Sequence, residues 1–176
     1  MIAGDSAGAN LTLALFSHIL HPHPDIAESL RVKLSEPLAG TVLISPWVKF
    51  VPEQDDSVRR NQTTDMVTPA VARRWSSLYL GNGRLDNYNQ AVDAESEWFS
   101  GLDTVTKDIL IWGGGGEVLL DSIQVLERKL KKAHGRTEYV EQPRAAHEDF
   151  IMEKLLGYTH KAEGTVVVEN WIAARL

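Results

Sequence analysis

The chain has 176 residues, 43% hydrophobic and 24% charged, which is the balance of one globular domain with a substantial core rather than of a disordered segment. A net charge of −6 and a pI near 5.5, without any long basic run, exclude nucleic acid or an anionic membrane surface as the main partner and leave a small neutral or apolar ligand. The absence of cysteine excludes disulfides, thiol nucleophiles and cysteine metal sites and suits a reducing, cytoplasmic setting; no run of about 18 apolar residues predicts a membrane span, and no charged leader precedes an apolar stretch.

Met1-Ile2-Ala3 reads as the end of a buried strand and runs into Gly4-Asp5-Ser6-Ala7-Gly8, a Gly-x-Ser-x-Gly turn. Such a turn needs small residues on either side of the serine, because the chain swings from strand to helix there and lifts the hydroxyl above the sheet. Alone the pattern is also met by a glycine-rich turn whose serine merely caps a helix. The residues that follow, Leu11, Leu13, Leu15, Phe16, Ile19 and Leu20, predict a helix buried on more than one side and stopped by His21-Pro22-His23-Pro24. That histidine pair has no third ligand spaced nearby and reads as a solvated turn, not a metal site.

Gly40 to Ser45 is a short apolar, β-branched run closed by Pro46, a buried strand with Trp47 at its carboxyl end. Residues 51 to 61 look like an irregular polar excursion. Thr68 and Pro69 predict a helix start, as N-cap and first-turn proline, and the helix carries Val71, Ala72, Trp75, Leu78 and Tyr79 to a stop at Gly81. Residues 82 to 90 read as a loop and 94 to 99 as a short helix.

Asp108 to Trp112 predicts a second clear strand, running into Gly113-Gly114-Gly115-Gly116 and then a helix with Leu119, Ile123, Leu126 and Leu130 on one stripe. The glycine run is no phosphate loop, since no Gly-Lys-Ser/Thr follows it. Arg136 to Val140 predicts a further strand. Val166 to Leu176 has strand-prone valines but a helical apolar face, and helix is the expectation. Alternating strands and helices imply a largely parallel sheet with right-handed crossovers, whose chemistry gathers at the carboxyl ends of the strands.

A serine nucleophile needs a base, and the base an acid to fix its tautomer. Glu117, just past one predicted strand, and His147, in the loop leaving the next, supply both in the order serine, acid, histidine expected of an α/β-hydrolase. Asp121, one helical turn beyond Glu117, is the alternative acid. None of the remaining histidines (His18, His21, His23, His134 and His160) has a matching strand-end setting.

The Gly4-Asp5-Ser6-Ala7-Gly8 turn, Ser45-Pro46-Trp47, Glu117-Val118-Leu119-Leu120-Asp121 and His147 together resemble the hormone-sensitive-lipase-like branch of α/β-hydrolase carboxylesterases, over nearly the whole chain. The resemblance implies Ser6 as nucleophile, Glu117 as acid, His147 as base, the Ala7 backbone N–H as an oxyanion donor, and Asp5, Trp47, Met66, Val67 and Trp75 around the substrate. It also implies an acyl-enzyme route on a small ester, no cofactor, no metal, and a possible homodimer. Two departures stand out: a Glu where the family's acid is more often Asp, and Glu148 where a glycine is frequent. The expected architecture is one α/β-hydrolase domain over residues 1–176, a mostly parallel sheet with flanking helices and a cap-like insertion at about 51–100. It is expected to be the carboxyl-terminal portion, lacking the family's N-terminal strands and its His-Gly-Gly-Gly oxyanion loop. The alternative is a catalytically incomplete fragment or a ligand-binding module of the same fold.

Overall fold

A computed structural model of the chain describes residues 1–50 and 52–176. Four strands form one parallel sheet in chain order: β1 (Ile2–Asp5), β2 (Thr41–Ile44), β3 (Ile109–Gly114) and β4 (Thr137–Gln142). The register pairs Asp5 with Ile44, Ile44 with Trp112 and Gly114 with Gln142, so all four strands end along one rim. Among the described residues six α-helices connect and cover them: α1 (Ser6–Leu20), α2 (Asp56–Asn61), α3 (Pro69–Leu80), α4 (Leu120–Ala133), α5 (Asp149–Leu155) and α6 (Glu163–Ala173). Among the described residues no helix is long and apolar enough to cross a membrane.

The apolar runs of β2 and β3 are continuous because both faces of the sheet are covered, as parallel sheets require. On one face, Leu43, Ile109 and Ile111 pack with Leu13 and Phe16 of α1 and with Ile123, Leu126 and Leu130 of α4. On the other, Val42, Ile44, Leu110 and Trp112 meet Phe150 of α5 and Val168 and Trp171 of α6, and Phe150 meets the Trp112 ring edge-on at a centroid distance of 4.8 Å. The ambiguous carboxyl-terminal segment is helical: Val168 and Trp171 share the face that buries, which outweighs the strand preference of its valines.

Three expectations change. The excursion after β2 contains α2, whose single buried apolar side chain, Val58, is too weak a periodic signal to announce a helix; Val51 at its start lies outside the described residues. Helix α5 was also hidden, being a single short element of 7 residues begun by a left-handed residue. Helix α1 is buried on one side only, with Leu11 exposed on the other. The helix start at Thr68 is as expected, its hydroxyl accepting the Val71 N–H at 3.3 Å.

The turn between β1 and α1 is tight on its amino-terminal side. A side-chain carbon on Gly4 would overlap the Gly8 carbonyl, whereas one on Gly8 would lie 3.3 Å from a movable Asp5 carboxylate oxygen. Gly4→Ala is therefore expected to cost about 1–3 kcal/mol or more, because backbone must shift to admit the methyl, and Gly8→Ala distinctly less. Denaturant melts of the two variants check the order.

Candidate active site

Ser6 sits where β1 becomes α1, with φ of 44°, a left-handed conformation that β-carbon sterics disfavour. The other non-glycine residues with positive φ among those described are Ser45, Arg144 and Glu148. All four stand just past the carboxyl ends of β1, β2 and β4, so the backbone strain of the molecule is concentrated on one rim, as is usual around reactive groups. The elbow is braced from β2: the Trp47 N–H donates to the Ser6 carbonyl at 3.1 Å, and the buried Asn10 side chain donates to the Trp47 and Asn89 carbonyls at 2.8 and 2.7 Å.

His147 reaches this serine from the loop after β4. Its Nε2 lies 2.9 Å from the Ser6 hydroxyl, and its Nδ1 lies 2.8 Å from Glu117 Oε2. A carboxylate only accepts, so the proton belongs on Nδ1 and Nε2 is left to accept from the hydroxyl. Glu117 is fully buried, and its second oxygen accepts from the Gly114 N–H at 2.5 Å and the Ser45 hydroxyl at 3.0 Å. The Ser45 hydroxyl oxygen in turn accepts the Glu148 N–H at 3.2 Å. Both oxygens of Glu117 are thus held, which fixes the plane presented to the imidazole.

The glycine run has its own task. A side-chain carbon on Gly114 would overlap the Ala145 carbonyl, and the N–H groups of Gly115 and Gly116 donate to Gln142 and Ala145 at 2.8 Å each. The glycines let the loop that carries His147 lie directly against the loop that carries Glu117. Asp121 is not brought to the imidazole: its carboxylate accepts the Ser57 N–H at 2.9 Å and pairs with Arg60 at 3.2 Å, tying α4 to α2.

Over residues 1–151 the sequence matches the alpha/beta hydrolase fold family. The chain belongs to that family. This alpha/beta hydrolase is similar to a hormone-sensitive lipase from a metagenome library, with 26% identity and a TM-score of 0.71 over 99% of the chain and 54% of the relative. It is similar to EstE5, with 26% identity and a TM-score of 0.67 over 94% of the chain and 49% of that protein. An esterase/lipase from an uncultured bacterium shares the fold at 22% identity, with a TM-score of 0.71 over 98% and 52%. The chain spans about half the length of these solved relatives. No curated protein sequence matches it.

Beside the elbow this alpha/beta hydrolase has an open, mostly apolar cavity of about 200 Å³ lined by Ala7 and Asn10 of α1, Trp47 and Phe50 after β2, and Trp75, Ser76 and Tyr79 of α3. Trp47 and Trp75, expected near substrate, both line it, their rings tilted against each other with centroids 5.9 Å apart. The other three expected contacts lie elsewhere: Val67 is buried in the core, Met66 is exposed, and Asp5 is exposed at the end of β1. Phe50 and Tyr79 are wall residues that the sequence reading passed over, although Tyr79, one turn beyond Trp75, was within reach of a helical-face argument.

Burial by itself pulls the His147 imidazole down, but the hydrogen bond and charge of Glu117, aided by Glu148 and Asp65, hold it above its ordinary value. Burial pushes the Glu117 carboxyl up, against the opposing hydrogen bond from His147. Glu148, whose Oε1 lies 3.8 Å from His147 Nε2, is likewise raised by burial. The arrangement suits a base that, once neutral, gains a proton readily when a hydroxyl surrenders one.

Proposed function

We propose that the chain carries a serine carboxylic ester hydrolase site. The observation that supports it is the continuous line from the Ser6 hydroxyl through His147 to the buried Glu117, at 2.9 and 2.8 Å. Ser6 Oγ attacks the ester carbonyl carbon while its proton passes to His147 Nε2. The oxyanion forms beside the amino-terminal end of α1, where first-turn N–H groups such as that of Ala7 have no intrahelical partner. Collapse of the tetrahedral adduct expels the alcohol oxygen, which takes the proton back from Nε2 and leaves an acyl-serine. Water then attacks the acyl carbon with His147 again as base; the second adduct expels Ser6 Oγ, which recovers the proton from Nε2, and the carboxylic acid departs. Glu117 keeps Nδ1 protonated and stabilises the imidazolium.

The aromatic-walled cavity, smaller than the roughly 300–1,000 Å³ of pockets for drug-sized ligands, supports a small acyl group as substrate. In this reading the segment around 52–100 acts as part of a cap, since α3 supplies one wall.

Ester turnover is expected to fall with decreasing pH. His147 works only when neutral and is held above the ordinary imidazole value of about 6.5, so the acid limb of kcat/KM should have its midpoint above that value. A pH–rate profile with a neutral ester checks it; a midpoint at or below the ordinary value would count against the pairing with Glu117.

A second reading rests on the coverage of about half of each solved relative: the same site would be reactive without efficient turnover, or would serve as a ligand-binding module. Short-chain p-nitrophenyl esters, the matching p-nitroanilides and a serine-directed phosphonate separate the readings. The esterase reading predicts steady ester turnover above anilide turnover, together with stoichiometric phosphonylation. Phosphonylation without turnover favours the second reading, and absence of both removes the first.

A further inference from the structure

The excursion between β2 and α3 contains a carboxylate that the relay itself does not use. Asp65, in the turn between α2 and α3, is 8% exposed and has no Lys, Arg or His side-chain partner among the described residues. All its hydrogen bonds come from backbone N–H groups. Oδ2 accepts from Val118 at 2.6 Å, and Oδ1 accepts from His147 at 3.0 Å and from Val67 at 3.5 Å. One side chain therefore takes the amide of the residue after Glu117 and the amide of His147 itself. The same turn adds a third tie: Asn61 donates from its side chain to the Glu117 carbonyl at 2.9 Å and accepts the Asp65 N–H at 2.9 Å.

An ion buried without a counter-ion is costly unless each lone pair is well used, and charge-assisted bonds to backbone N–H groups are the strong kind. The two main partners lie on separate loops after β3 and β4, 53 and 82 residues from Asp65 in sequence. The N–H groups of Gly115 and Gly116, donating to Gln142 and Ala145, join the two loops at their bases. Farther along, the carboxylate joins them at Val118 and at His147 itself, because moving either end strips an acceptor from a buried N–H.

We propose that Asp65 is a positioning residue of the hydrolytic site, its carboxylate clamping the acid-bearing loop at Val118 to the base-bearing loop at His147 so that Glu117, His147 and Ser6 stay in line. Its kinetic consequence rests on the esterase reading above; its structural consequence does not. The charged groups facing the imidazole are Glu117 from the loop after β3, Glu148 from its own loop and Asp65 from the α2–α3 turn. Removing Asp65 thus changes both the placing of the ring and the field around it.

The test compares wild type, Asp65→Asn and a control, Thr106→Val, which removes a buried hydroxyl bonded to Thr41 and to the Asp108 carbonyl at the opposite end of the sheet. Each is checked for folding by circular dichroism. Each is then followed by its phosphonylation rate with ethyl p-nitrophenyl phosphonate, by kcat and KM, and by the NMR titration of the His147 ring. Asp65→Asn should slow phosphonylation and kcat by about 100-fold with KM little changed, because a displacement near 1 Å costs that much, and should lower the imidazole midpoint. Thr106→Val should alter melting but neither rate nor midpoint. Where Asn is not tolerated, Asp65→Glu keeps the charge on a longer arm; positioning predicts a comparable loss, and wild-type rates in that variant would refute it. Wild-type rate and midpoint in folded Asp65→Asn would overturn the proposal. If wild type itself neither labels nor turns over, the esterase reading fails, and the His147 titration alone decides for or against the clamp.

Discussion

Ser6→Ala is expected to lower kcat for ester hydrolysis by about 10⁶-fold, to the level left by binding and oxyanion donors alone. The hydroxyl of Ser6 is the one His147 Nε2 can deprotonate, at 2.9 Å. The other serine of the rim, Ser45, is fully buried and spends its hydroxyl proton on Glu117 at 3.0 Å, so it cannot stand in. Alanine adopts the left-handed turn with the same strain as serine, so melting should change little, and the loss will be one of chemistry. Rates measured on freshly purified variant beside wild type, with circular dichroism as a folding check, settle the point. A variant that keeps a tenth of the activity would move the nucleophile elsewhere.

The second large effect is expected from Glu117→Gln, about 10⁴-fold in kcat with KM nearly unchanged. The amide still offers one oxygen, which the Gly114 N–H and Ser45 hydroxyl will claim, since both are buried donors that need an acceptor. Its NH₂ then faces His147 Nδ1. An imidazole that accepts at Nδ1 carries its proton on Nε2, and a protonated Nε2 takes nothing from Ser6. The acid limb should also move to lower pH, because the partner that raises the imidazole is gone. Asp121→Asn should leave both rate and limb close to wild type, its carboxylate being engaged with Ser57 and Arg60 instead. The reverse pattern would make Asp121 the acid.

The two central strands, β2 and β3, were legible because they are short apolar runs closed by proline or glycine and buried on both faces. Helices α1, α3 and α4 announced themselves by periodic apolar residues and, for α3, by Thr68 and Pro69. Helices α2 and α5 did not: each is short, and each is held by a few tertiary contacts rather than by a repeating stripe. At the site, Ser6, Glu117 and His147 could be picked out because strand ends are where a parallel sheet exposes reactive groups, and the structure brings these three together. Asp65 stood in the sequence only as part of a cap-like segment, since its partners are backbone amides, which leave no mark in a sequence. Met66 and Val67, expected near substrate, do not line the cavity beside Ser6, for a related reason. Two neighbours in an irregular turn face opposite ways, and only the path of the chain between α2 and α3 decides which one is buried. The glycine run after β3 was readable as what it is not; its role became clear once the loop bearing His147 was found pressed against Gly114.

In the proposed mechanism one hydroxyl is made nucleophilic by the imidazole beside it. The decisive experiment is peptide mapping by mass spectrometry after reaction with a phosphonate diester. A single adduct is expected on Ser6, formed in wild type and lost in His147→Ala. An adduct on another serine, or one on Ser6 that forms equally fast without His147, would refute the mechanism.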